Sequence, residues 1–193
     1  MTRVLAEFRQ LWGDIDALRW LVVKRLEFDP ERVARRSRET TTHYKWLLAS
    51  DRSQGSKIWF HEFKPACERR PGYASTIHNH RYPFASVALR GGYTNLRFDV
   101  CFEESSLRVH RCDLVQRECI LEGSRYRMEP DEYHCVDDIA DGTQTLVLEL
   151  PAINPVSYSV DRFGDRVTEH VPLEVRINDL LHPRSLLLSP RPT

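Results

Sequence analysis

No apolar run in these 193 residues approaches the length needed to cross a bilayer. The first residues do not read as a signal peptide, because Arg3, Glu7 and Arg9 interrupt them. A surplus of one charge sign is missing too: Lys plus Arg and Asp plus Glu both number 28. That balance argues against a nucleic-acid or membrane-surface partner held by bulk charge. The five cysteines are odd in number and contain no C-x-x-C pair. They read as reduced thiols in a cytoplasmic setting, not as a disulfide framework. Repeats and low-complexity blocks are lacking. What is present is an ordinary globular composition, 41% apolar and 29% charged, at the length of a single domain. The partner to expect is a small molecule, and the chain a monomer or homodimer.

The amino-terminal stretch repeats Leu5, Phe8, Trp12, Ile15, Leu18, Val22 and Leu26 at three- and four-residue steps. This predicts one amphipathic helix over residues 2–28. Asp29-Pro30 is a stop and restart, leading into a second, polar helix over about residues 31–39. From residue 41 the period changes to two. Short strands follow at 44–48, 58–63, 77–80, 85–89, 93–100, 107–111, 114–121, 126–129 and 145–150, with turn residues between them. The fold class is therefore mainly β, an antiparallel sandwich or barrel behind a helical cap. Its parts are a cap at 1–40, a barrel at 41–172 and a carboxy-terminal extension at 173–193, together one structural domain.

Chemistry concentrates at Ser75-Thr76-Ile77-His78-Asn79-His80. Side chains of a strand alternate faces, so His78 and His80 point the same way. Alone, His-x-His also describes two surface histidines on an edge strand. Here Gly72 stands five residues before His78, Phe84 follows His80 after three residues, and Gly91 follows after six more. This spacing resembles the first cupin motif, G(x5)HxH(x3)E(x6)G, with Phe84 where the family has Glu. The stretch from Gly123 through Pro130, Glu132 and His134 to Asp138 resembles a degenerate second motif, G(x5)PxG(x2)H(x3)N. The resemblance covers about Tyr44 to Ser159. It implies a cupin-type jelly roll whose metal ligands are His78, His80 and His134.

Three neutral imidazoles leave the ion its full positive charge and its other positions open. Such a site suits an anionic substrate atom, and Fe²⁺, Zn²⁺, Ni²⁺ and Mn²⁺ all accept it. Three-histidine cupins resemble the cysteine dioxygenase-like group, and the likeness runs beyond the ligands. There too a helical amino terminus precedes a Tyr-led strand, an I-H-x-H strand, a third His and a late strand ending in Pro. Here these are residues 5–26, Tyr44, Ile77 to His80, His134 and Thr145 to Pro151. The resemblance implies an Fe²⁺ dioxygenase using a small substrate and O₂. Lewis-acid isomerisation or rearrangement on Zn²⁺ or Ni²⁺ is the alternative reading, and a non-catalytic ligand-binding cupin the third.

The chain departs from that group at the substrate side. The group's carboxylate-reading Arg becomes Trp46, its cross-linking Cys becomes Ala85, and its late His becomes Val147. The expectation is that Trp46 forms an apolar wall and that L-cysteine is a poor substrate. Glu149, polar within an apolar strand, is a candidate acid or base, and Tyr44 a candidate catalytic residue by resemblance. Arg81, next to a ligand, is a candidate anion reader, and Phe84 packs beside the metal. Cys135 should point away from the metal by alternation.

Overall fold

The computed structural model describes residues 3–51, 53–72, 75–160 and 164–172. The expected extension at 173–193 lies outside the described residues.

The cap contains three helices, α1 (Arg3–Gln10), α2 (Ile15–Phe28) and α3 (Pro30–Arg36). The single helix expected over residues 2–28 is thus two. Asp14 explains the break: its carboxylate accepts the amides of Asp16 and Ala17 at 3.1 and 3.0 Å, starting a new helix straight after Gly13. An aspartate in that position satisfies amides that a helix start would otherwise leave unpaired. Asp29 caps α3 in the same way through Arg32, with Pro30 in the first turn. Helix α3 stops at Arg36, short of the expected 39, because the chain turns there into strand β1 (Arg38–Glu39).

The remaining strands are β2 (His43–Asp51), β3 (Ser56–Phe63), β4 (Ile77–His78), β5 (Phe84–Arg90), β6 (Gly92–Glu103), β7 (Arg108–Leu121), β8 (Arg125–Met128), β9 (Tyr133–Asp137), β10 (Gln144–Glu149), β11 (Ser157–Val160) and β12 (Val167–His170). The two strands expected at 107–111 and 114–121 are one long β7. Two register shifts against β6 absorb the irregularity that made them look separate.

The strands form two six-stranded sheets, ordered β1-β2-β3-β10-β5-β8 and β12-β11-β4-β9-β6-β7. Four antiparallel pairs nest inside one another: β6 with β7, β5 with β8, β4 with β9 and β3 with β10. Successive pairs alternate between the sheets. A long hairpin rolled up in this way is a jelly roll. The fold is the mainly β, cupin-type sandwich with an amino-terminal helical cap.

The cap covers the outer face of the first sheet. Leu5, Phe8, Leu18 and Val22 pack there on Ile58, Phe60, Val87 and Leu146. Full burial of one such side chain is worth about 1.5–3 kcal/mol. Alternation then turns Trp59, His61, Ser86, Thr145 and Val147 toward the space between the sheets. Turn geometry holds the β5–β6 corner. Gly91 has φ +69°, and a Cβ there would lie 2.6 Å from the Thr143 hydroxyl. That hydroxyl accepts the Gly92 amide and donates to the Ala140 carbonyl. Only glycine meets both demands.

Candidate metal centre

The site is built from the inner face of the second sheet. His78 closes β4 and stands directly across from His134 on β9. Strand β4 is only two residues long, yet its alternation persists. The Asn79 amide donates to the Tyr158 carbonyl, and the Asn79 side chain accepts the Tyr158 amide. Asn79 is thereby held like a strand residue, and His80 returns to the side of His78.

The three rings converge. Their centroids lie 4.9 Å (His78–His80), 4.7 Å (His78–His134) and 5.3 Å (His80–His134) apart. One nitrogen from each ring falls within a 4.8 Å group. The Nε2 atoms of His80 and His134 are 3.1 Å apart. Two nitrogens bonded at about 2.1 Å to one ion, at right angles, would be about 3.0 Å apart. The His80–His134 pair has that spacing, and with the His78 nitrogen in the same 4.8 Å group the three could hold a single divalent ion.

The far nitrogens agree with this. His134 Nδ1 lies 2.9 Å from Asn95 Oδ1, and His78 Nδ1 lies 3.0 Å from the Thr76 carbonyl. A carbonyl oxygen only accepts, so both Nδ1 atoms carry the proton and both Nε2 atoms present lone pairs inward. Burial pushes the His78 pKa down to about 4 and holds His80 and His134 well below the usual range. All three are neutral imidazoles near pH 7, the form that binds metal.

Phe84 closes one side. Its buried ring meets His80 edge-on at 4.8 Å and lies 6.0 Å from His134. Glu149 is buried and faces the cavity, where Lys57 Nζ and Trp59 Nε1 donate to its two oxygens at 2.5 and 2.7 Å. Arg81 stands at the cavity mouth. Its carbonyl accepts the amides of Ile153 and Asn154, which fixes its backbone. Cys135 is fully buried on the opposite face of β9 from the metal site, among Ile77, Leu96 and Tyr133.

Tyr44 and Trp46 lie elsewhere, which corrects their expected placement. Both are on the outer face of β2. Trp46 packs on the apolar cluster under the helical cap, and Tyr44 stacks near it at 6.1 Å. Neither lines the cavity. No residue of strand β2 is exposed, so its residue pattern does not announce which face is inward. The inward residues are His43 and Lys45.

Sequence reasoning also missed His61, Trp59 and Asn95. The signal was alternation of ring-bearing and cationic side chains, His43-x-Lys45 and Trp59-x-His61-x-Phe63, on strands otherwise read as apolar. Five of the eight histidines line one cavity. Its volume is about 100 Å³, and it opens to a vestibule of about 530 Å³ near Arg38, Lys57 and Arg81. The His43 and His61 rings lie 4.5 Å apart. Burial pushes His43 down to about 3 and His61 well below its ordinary value. Desolvation, with Arg38 nearby, lowers Lys45 to about 8.

No family model matches the chain, and no curated protein matches it by sequence. Among solved structures it is similar to a variant of oxalate decarboxylase from Bacillus subtilis, at 14% identity and TM-score 0.41, over 60% of this chain and 27% of that one. It is similar to DMSP lyase DddQ from Ruegeria pomeroyi DSS-3, at 12% identity and TM-score 0.41, over 67% and 58%. Ectoine synthase from P. lautus gives 12% identity and TM-score 0.42, over 67% and 84%. The chain spans about a quarter of the oxalate decarboxylase it matches, and likeness of this size says nothing of activity. The fold rests on the strand order and register above, and the site on its own three histidines. Among the described residues no helix is long and apolar enough to cross a membrane.

Proposed function

We propose that the protein is a metal-dependent enzyme acting on a small anionic molecule, with one divalent ion held by His78, His80 and His134. The observation that carries this is the convergence of three neutral imidazole nitrogens in a buried cavity with a polar opposite wall. Within that reading we favour a mononuclear Fe²⁺ dioxygenase that uses O₂ as co-substrate. Imidazole suits Fe²⁺, and no carboxylate stands at the Phe84 position to reduce the site's charge. Bound there, the ion would supply Lewis acidity and, as iron, reactivity toward oxygen.

The chain's own residues do the rest. Asn95 and the Thr76 carbonyl hold two rings in the binding tautomer. Phe84, together with Tyr126 packed against it at 5.9 Å, excludes water from one side of the site. Lys45 supplies positive charge on the opposite wall. Glu149 is already engaged by Lys57 and Trp59, so it shapes that wall and stands as a proton acceptor only after a change of partners.

A second reading has its own observation. His61 and Lys45 put proton-carrying groups in the cavity, and proton transfer suits non-oxidative chemistry on Zn²⁺ or Ni²⁺. Metal analysis of protein purified without added metal, coupled to oxygen-electrode measurements, separates the two. Iron with substrate-dependent oxygen uptake supports the dioxygenase. Stoichiometric zinc without oxygen uptake supports the Lewis-acid enzyme. Absence of any stoichiometric metal overturns both.

A further inference from the structure

Across the cavity from the three histidines lies a group that metal binding leaves without employment. Lys45 and His61 are direct neighbours on paired strands, and His43 stacks on His61. The Nε2 atoms of His43 and His61 are buried and have no hydrogen-bond partner. Leaving a buried polar group unpaired costs about 1–3 kcal/mol, so two together ask for a ligand. Among the described residues the Lys45 side chain makes no hydrogen bond and no ion pair with an acid. Its ammonium lies 4.8 Å from the Trp59 ring, and the Arg38 guanidinium lies 5.0 Å from the same ring.

The Nδ1 side of His43 faces two threonine hydroxyls. The Thr40 hydroxyl donates to the His43 carbonyl at 2.7 Å, which uses its proton. The Thr42 hydroxyl lies 2.8 Å from His43 Nδ1, and either atom can donate. His43 Nδ1 thus has partners, and the buried Nε2 is the ring atom left for a ligand.

Charge decides what kind of ligand this is. The whole chain is neutral by formal charge. Yet the vestibule and this wall gather Arg38, Lys45, Lys57 and Arg81 against the single carboxylate of Glu149, which Lys57 and Trp59 already occupy. A second metal ion would meet Lys45 and Arg38 in place of a counter-charge, so a pair of imidazoles here does not serve a cation. We propose that Lys45, His61 and His43 form an anion subsite that takes the carboxylate of a small acid, the other end of which reaches the three histidines. This rests on reading the cavity as the substrate site. The cavity's volume of about 100 Å³ suits the end of a small acid.

The test uses acetate as probe on metal-free, full-length protein, by calorimetric titration and by following the histidine ring nitrogens with ¹⁵N NMR. Expected is saturable millimolar binding that moves the His43 and His61 signals. Lys45→Met should weaken it at least tenfold, and Lys45→Arg, which keeps the charge, should retain it. Thermal unfolding checks that Lys45→Met is folded, and the NMR shifts in the unmodified protein decide the matter if it is not. Acetate that leaves both histidine signals unmoved, or that binds Lys45→Met as tightly as the parent, overturns the subsite. A parallel zinc titration keeps the two claims apart. Failure to bind zinc would remove the metal reading while acetate binding still established the subsite, and zinc binding without acetate binding would do the reverse.

Discussion

His134 donates its Nδ1 hydrogen to Asn95 Oδ1 across 2.9 Å, and Asn95 is itself fully buried in strand β6. The amide thereby sets which nitrogen of His134 is free to bind. Partners of this kind are typically worth 10–100-fold in metal affinity. Asn95→Leu should weaken zinc binding by roughly that factor, whereas Asn95→Asp, which keeps an acceptor oxygen, should retain most of it. Competition titration against a chelating dye gives both values. Equal affinity in Asn95→Leu would show that the contact does not orient the ring.

Phe84 stands where the cupin motif it resembles has Glu, and its ring lies 4.8 Å from His80. Phe84→Glu should tighten metal binding and add an oxygen ligand visible by EPR of the Mn²⁺ form. The same variant should be less stable than the parent without metal, since an uncompensated carboxylate would be buried. Unchanged affinity and coordination would mean that the Phe84 side chain does not point at the ion.

Trp46 serves the cap and not the cavity. Trp46→Ala should lower the unfolding free energy by about 2–4 kcal/mol, through lost packing. Zinc affinity should stay within twofold of the parent. Chemical denaturation with the zinc titration checks both, and a large loss of zinc affinity in a folded variant would place Trp46 in the site after all.

The acid side of the stability profile follows from His43. Its folded pKa is about 3, against about 6.5 for a free histidine. Above pH ~6.5 neither state is protonated, and the group contributes no pH dependence. Below that, the unfolded chain takes a proton that the folded chain refuses, so stability falls as pH drops from about 6.5 toward 3. Between pH 7.5 and 5.5 the loss from His43 is about 1.4 kcal/mol. Urea unfolding of metal-free protein at the two pH values should show at least that loss, and His43→Gln should reduce it. A profile flat across that range would show that the histidines are not buried as described.

The metal trio was legible because its information is local: His78-x-His80 with glycines at fixed distances, and one later histidine. Both bounding glycines have a physical reason here, since a Cβ at Gly72 would collide with Thr41 and one at Gly91 with Thr143. The jelly roll was legible through many short strands at close turn spacing. Strand parity in β2 was not. With apolar or aromatic residues on both faces, the choice between Tyr44 with Trp46 and His43 with Lys45 depends on where the helical cap docks, and that is a long-range fact. The expectation that L-cysteine is a poor substrate rested on Trp46, Ala85 and Val147 together; Trp46 as a cavity wall falls with the corrected parity, whereas Val147 does line the cavity. The break at Asp14 was locally encoded, but the apolar period running through Trp12 and Ile15 masked it. Asn95 was invisible because a buried amide in a strand has no sequence pattern that distinguishes it from a solvent-facing one.

The most direct test of the account is metal stoichiometry by mass spectrometry on protein purified without added metal, for the parent and for His78→Ala, His80→Ala and His134→Ala. The account predicts about one divalent ion per chain in the parent and loss of that ion in each variant, with the circular dichroism of the sandwich retained. A parent free of stoichiometric metal after purification and metal loading, or a variant that keeps its ion, would contradict it.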